Sequence, residues 1–153
     1  MAHCYTVLVV PKEKEFDVVG KRVGAQARDF GLSTVTDCTA AKLFFLKGEI
    51  QPDRLNDLTE ALLLDPTVER IATMSNGHTV TGNHTVDVAL LPGVTDTEGE
   101  SLVSAAHRLG FTEVVEASRA HRYFFSAEGV LRKSELEKFA AARLANEVIE
   151  RLS

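Results

Sequence analysis

VDVALLPGVTDTEGESLVSAAHRLGFTEVVEASRAHRYFF, the stretch Val86–Phe125, decides how the chain is read. An apolar strand runs into Pro92-Gly93, an Asp96-led helical stretch ends at Gly110, and a second long β-prone run follows to Phe125. The same plan stands earlier in the chain. A shift of 79 residues places Asp17 on Asp96, Gly20 on Gly99, Ala27 on Ala106 and Gly31 on Gly110. It also places Val35 on Val114, Ala41 on Ala120, Phe45 on Phe124 and Glu49 on Glu128. Ahead of the helix the offset reads as 81, with Val7 on Val88 and Pro11 on Pro92, and the two extra residues of the first copy fall in Lys12–Phe16. A repeat of this kind means one supersecondary unit used twice.

In the first copy, Tyr5–Val10 is β-branched and aromatic and stops at Pro11, which predicts a strand. Asp17 predicts a helix N-cap, because its carboxylate can accept from amides of the first turn. Val19, Val23, Ala27 and Phe30 then form one apolar face, and Gly31 suits the left-handed position after a helix. Val35–Leu46 predicts a long strand. Asp53 is expected to cap a second helix with Leu55, Leu58 and Leu62 inward, Pro66 to end it, and Val68–Met74 to form a third strand. In the second copy, Val86–Leu91 is the first strand and Asp96 caps a helix with Leu102, Ala106 and Leu109 inward. Val114–Phe125 follows, and a Ser134/Glu137 capping box opens a last helix whose buried stripe is Leu136, Ala140, Leu144 and Val148. The expected division is repeat 1 over 1–75, a linker over 76–83 marked by Asn76-Gly77 and Gly82-Asn83, and repeat 2 over 84–153 with its last strand missing. An Asn-Gly hairpin pairing Ile71–Met74 with His78–Thr81 fits the same stretch. Each copy thus reads β-α-β-α-β, a two-layer α+β plan of ferredoxin-like type with mainly antiparallel sheets and helices on one face.

At about 80 residues a copy alone buries only a modest core. The composition, 44% hydrophobic and 25% charged, is that of a globular protein. A net charge of −5 without a basic block argues against a nucleic-acid partner. The N-terminus lacks the basic leader and apolar length of a signal peptide, and no apolar run reaches the roughly 20 residues of a membrane span. Cys4 and Cys38 read as isolated reduced thiols.

The long strands carry the candidate contact residues. Val115, Ala117, Arg119, His121, Tyr123 and Phe125 alternate with Val114, Glu116, Ser118, Ala120, Arg122 and Phe124. Neither set is cleanly polar, so both faces are expected to be covered over part of the length. Lys42 aligns with His121 or with Arg122, and a one-residue slip exchanges the faces. Arg119, His121 and Arg122 are the local basic cluster, a candidate contact for an anionic ligand or an acidic partner surface, with a partly solvated strand face as the plain alternative. His78 and His84 lack Cys or carboxylate at metal-ligand spacing, and no metal site is expected. Asp17 and Asp96 each have a sufficient reason to exist as caps. Cys38 sits in a strand, where core packing is the default. No phosphate-loop glycine pattern is present. The residues describe a scaffold with no visible catalytic site.

LLPGVTDTEG, HRLGF, TEVVEASRAHRYF and ARLANEVIE together resemble the PurS family, the small subunit of phosphoribosylformylglycinamidine synthase. Pro92, Val94, Asp96, Gly99, Leu144, Ala145, Asn146, Val148, Ile149 and Glu150 carry the resemblance. The first copy matches through Asp17, Gly20, Gly31, Lys42, Asp65, Pro66 and Val68. The family's Gly-Lys-Tyr segment is replaced by Ala120-His121-Arg122-Tyr123 and by Ala41-Lys42-Leu43. Tandem copies look like the N-terminal region of the large fused synthase, and the resemblance implies an intrachain version of the PurS dimer. It further implies a cytoplasmic, non-catalytic module of purine synthesis that bridges the synthetase and glutaminase components and supports ammonia transfer. On that reading ATP, Mg2+ and glutamine are used by the parent synthase and not bound by this chain, and oligomers form through sheet faces. Lys42, Arg119, His121, Arg122 and Tyr123 become candidate partner or ligand contacts. Two other readings compete: a small-molecule-sensing domain similar in layout to ACT domains, with a ligand near Arg119, His121 and Arg122, and a small enzyme using Asp96 or Cys38.

Overall fold

A computed structural model of the chain describes residues 3–76, 84–90, 97–144 and 150–152. In chain order it contains β1 (His3–Pro11), a 3-10 turn (Lys14–Phe16), α1 (Val18–Phe30), β2 (Val35–Gly48), α2 (Pro52–Leu58) running into a π-helical turn (Thr59–Leu63), and β3 (Glu69–Asn76). The second copy follows as β4 (Thr85–Leu90), α3 (Thr97–Arg108), β5 (Val114–Ala127), α4 (Lys133–Arg143) and β6 (Glu150–Leu152). This is the expected α+β, ferredoxin-like order, with antiparallel pairing of β1 to β2 and β3, and of β4 to β5 and β6. No helix among the described residues is long and apolar enough to cross a membrane. The 77–83 part of the linker, the strand expected at His78–Thr81, Asp96 and Val148 lie outside the described residues.

The compact units do not follow the repeats. One unit joins β1, β2 from Lys42, α2, β3, α3 and β5 through Arg119. The other joins α1, β2 to Ala41, β4, β5 from Ala120, α4 and β6. In the first unit the strands are ordered β3-β1-β2-β5, and in the second β2-β5-β4-β6. Each unit has its own core, built from both copies. The first packs Val7, Val9, Phe44, Leu46, Leu55 and Leu58 with Ala106, Phe111 and Val114. The second packs Val23, Ala27 and Val35 with Val86, Val88, Phe125, Leu136 and Phe139. Phe139 is fully buried, with its ring 5.6 Å from Phe30 and 6.2 Å from Phe125.

Several local readings change. The ladders place Val7 opposite Phe44 and Val86 opposite Tyr123, so the 79-residue shift holds through the first strands and Val7 corresponds to Val86, not Val88. Lys42 then corresponds to His121, both facing equivalent valines, Val9 and Val88. The extra residues instead belong to the second copy, between β5 and α4. A short closing strand, β6, pairs with β4 where no last strand was expected. Its three residues carry no β-branched side chain, which hides it from the pattern.

α1 buries Gly20, Val23, Gly24 and Ala27, leaving Val19 and Phe30 partly exposed. Gly20 explains the rotation, because a Cβ there would collide with the Asp17 carboxylate and the Cys38 carbonyl. α2 opens on Gln51 with Pro52 at its first position, so Asp53 lies inside the first turn. α4 opens on Arg132 without a side-chain cap, and Ser134 is inside the helix. Starting at Lys133 points Leu136, Phe139 and Ala140 into the core, and that burial outweighs a capping bond worth about 1 kcal/mol.

Asp17 ties helix to strand. Its Oδ1 accepts from Gly20 N at 2.8 Å, capping α1, and its Oδ2 accepts from Ala40 N of β2 at 3.1 Å. In the first unit Arg54 does comparable work. It donates Nε to Glu113 Oε2 at 2.9 Å and Nη2 to Glu113 Oε1 at 3.0 Å and to Gly110 O at 2.7 Å, while its guanidinium lies 4.4 Å from the Phe111 ring centre. The guanidinium holds the Glu113 carboxyl below the usual carboxylate range, chiefly through the hydrogen bond.

Two predictions follow from these ties. Asp17→Ala removes a cap and leaves the Ala40 amide without its acceptor, and a loss of about 2–4 kcal/mol in urea unfolding is expected. A carboxylate whose pKa folding depresses stabilises the fold above its unfolded pKa, and this is lost as pH falls through the folded value. Melting temperatures recorded from about pH 6 to about pH 3 should therefore fall more steeply for the native chain than for Glu113→Gln.

Candidate functional site

Of the residues singled out from the sequence, Cys38 and Lys42 lie on β2, Arg119, His121, Arg122 and Tyr123 on β5, Ser134 in α4, and Asp17 caps α1. Arg119 belongs to the first unit. It is partly exposed, and its Nη2 donates to Glu98 Oε1 in the first turn of α3. Its Nε is buried without a hydrogen-bond partner. The side chain lines a cleft of about 340 Å³ together with Phe44, Thr97, Ser101, Leu102 and Ala105. A guanidinium, two hydroxyl-bearing side chains and an apolar floor are groups that can hold a small molecule with one polar end.

His121, Arg122 and Tyr123 belong to the second unit. Arg122 is buried, donating Nε to Asp87 Oδ1 at 2.6 Å and Nη2 to Asp87 Oδ2 at 2.7 Å. Such a bidentate pair suits burial because both charges are neutralised in a fixed fork. Arg122 therefore binds β5 to β4 and is not a solvent-facing anion contact. Tyr123 is buried in the same core, and His121 is half-buried opposite Val88. Lys42 is partly exposed in the first unit and pairs with Glu69 at 3.2 Å. The expected basic cluster is thus divided between the units, with Glu98 and Asp87 supplied to Arg119 and Arg122 by other elements, as Glu69 is to Lys42. Sequence spacing could not reveal these partners, because each is fixed by strand register or by a helix start.

The groups considered for catalysis are structural where described. Both oxygens of Asp17 are engaged, one capping α1 and one accepting from the Ala40 amide of β2. Cys38 is buried, and its thiol is pushed up to about 12, first by burial and then by the Asp17 and Asp37 charges. A thiol so poised is a poor nucleophile near neutral pH. Asp37 itself is lowered by its hydrogen bond from Lys14. Among the described residues no three His, Cys, Asp or Glu side chains gather as a metal-ligand set.

Residues 83–153 match the family model of PurS, described as phosphoribosylformylglycinamidine (FGAM) synthase. No significant match was found among curated proteins. The matched segment is a little under half of the chain and contains β4, α3, β5, α4 and β6, the whole of the second repeat. Over residues 83–153 the chain is therefore similar to the PurS family.

Proposed function

We propose that the chain is a non-catalytic assembly module of FGAM synthase, in the fourth step of purine synthesis, joining the glutaminase and synthetase components and helping to carry ammonia between them. The observation that carries this reading is the PurS match over the second repeat, set beside a first repeat with the same order of elements. The engaged state of Asp17, Cys38 and Arg122 agrees with a scaffold. On this reading the partners are the other synthase components, the setting is cytoplasmic, and ATP, Mg2+ and glutamine are handled by those components. Partly exposed side chains such as Lys42 and Arg119 are the candidate contacts.

A second reading, an ACT-like ligand-binding domain, draws on the cleft beside Arg119 with its unpartnered Nε.

Mixing the chain with purified glutaminase and synthetase components, glutamine and Mg-ADP should give co-elution of all three on size exclusion. Glutamine-dependent FGAM formation should rise on adding the chain, with the ammonia-dependent rate unchanged. Separate elution and an unaltered glutamine-dependent rate would sink the assembly reading. A thermal-shift screen of amino acids and purine nucleotides tests the second reading: a stabilising ligand whose effect disappears in Arg119→Ala supports it, and a flat screen removes it.

A further inference from the structure

Three arginines pair with carboxylates among the described residues, and one of the pairs is incomplete. Arg54 donates Nε and Nη2 to the two oxygens of Glu113, and Arg122 donates the same two nitrogens to those of Asp87. Arg119 donates Nη2 to Glu98, and its Nε is buried with no hydrogen-bond partner among the described residues. Shut off from water, that N–H leaves a charge-assisted bond unmade. The carboxylates differ too. The side chains of Glu113 and Asp87 are 24% and 19% exposed, whereas that of Glu98 is 63% exposed and so the easiest to displace. The fold does not demand the Arg119–Glu98 pair. In the first repeat Ala40 and Val19 hold the corresponding places, and the same elements form in the same order.

We propose that the cleft beside Arg119 binds an α-amino acid with an apolar side chain, its carboxylate replacing Glu98 on Nε and Nη2 of Arg119 and its ammonium taken by the displaced Glu98. The inference rests on the ligand-binding reading of this cleft and names the class of ligand. Arg54 and Arg122 each close a two-nitrogen fork on a carboxylate, and Arg119 holds the same fork half in use. An incoming carboxylate alone would lie against that of Glu98, and an ammonium on the same ligand offsets the repulsion. A phosphate suits the place less, because it brings up to about two charges where the described lining holds one cation and one carboxylate. Phe44, Leu102 and Ala105 give the ligand's side chain an apolar wall, and Thr97 and Ser101 offer hydroxyls to its polar end. The volume, about 340 Å³, lies at the small end of the range for ligand sites, as a free amino acid requires.

Calorimetric titration of the full chain tests it, with leucine, methionine and phenylalanine as probes. Isocaproate (leucine without its amino group), isoamylamine (leucine without its carboxylate) and adenosine monophosphate serve as comparisons. At least one of the amino acids should bind and should shift the side-chain Nε–H resonance of Arg119. Isocaproate should bind more weakly than leucine, and isoamylamine should not bind. Arg119→Lys keeps the charge but cannot offer the fork, and it should weaken the amino acid about tenfold or more. Glu98→Gln, at an exposed position, keeps the test open if the Arg119 variant fails to fold. It removes both the competitor and the ammonium's acceptor, so the preference for leucine over isocaproate should fall about tenfold. Binding of the nucleotide through Arg119 with no response to amino acids would overturn this inference and leave the ligand-binding reading standing. Isocaproate binding as tightly as leucine, or amino-acid affinity unchanged in both variants, would overturn the inference as well. No heat and no resonance shift with any probe would overturn both.

Discussion

Among the described residues neither repeat closes a hydrophobic core of its own, and the rest of the structure depends on that constraint. α1 of the first repeat packs in one core with α4 of the second, while α3 of the second packs in another with α2 of the first. β2 and β5, each 14 residues long, are divided between the two cores. A strand serving one core could be half that length. The arrangement meets the difficulty facing a segment of about 80 residues, which buries too little surface to be secure alone. Phe139 illustrates it: the ring is fully buried because Phe30, from the other repeat, lies against it.

The electrostatics follow the same plan. Asp17, Arg54 and Arg122 join elements that the sequence keeps apart, and each does so with two or more hydrogen bonds. Charges placed this way are occupied in holding the fold. Lys42 and Lys47, by contrast, each make one ion pair and stand substantially exposed.

The order of elements was legible because its punctuation is local. Asp17, Gly31, Gly110 and the Pro11 strand end act on their immediate neighbours, and Gly31 and Gly110 do adopt positive φ, at 118° and 94°. What was not legible is non-local. Ser134 offers a capping pattern, but the burial of Leu136 and Phe139 sets where α4 begins. Val19 and Phe30 fit an apolar stripe, but Gly20 decides which side of α1 can approach β2. Arg122 reads as part of a basic cluster until register sets it opposite Asp87. The exchange of helices between cores leaves no trace in periodicity, because α1 has an apolar face whichever repeat supplies its partner.

Joining two such repeats in one polypeptide has an evolutionary consequence. In an assembly of two identical chains, a substitution appears at both equivalent places at once. Here the places that correspond can drift apart one at a time: Ala40 accompanies Arg119, and Val19 accompanies Glu98. One gene can therefore keep both cores while giving each half a different outer surface. The two halves stay bound to a common fate, because α1 must remain compatible with α4, and α2 with α3, each encoded in the other repeat.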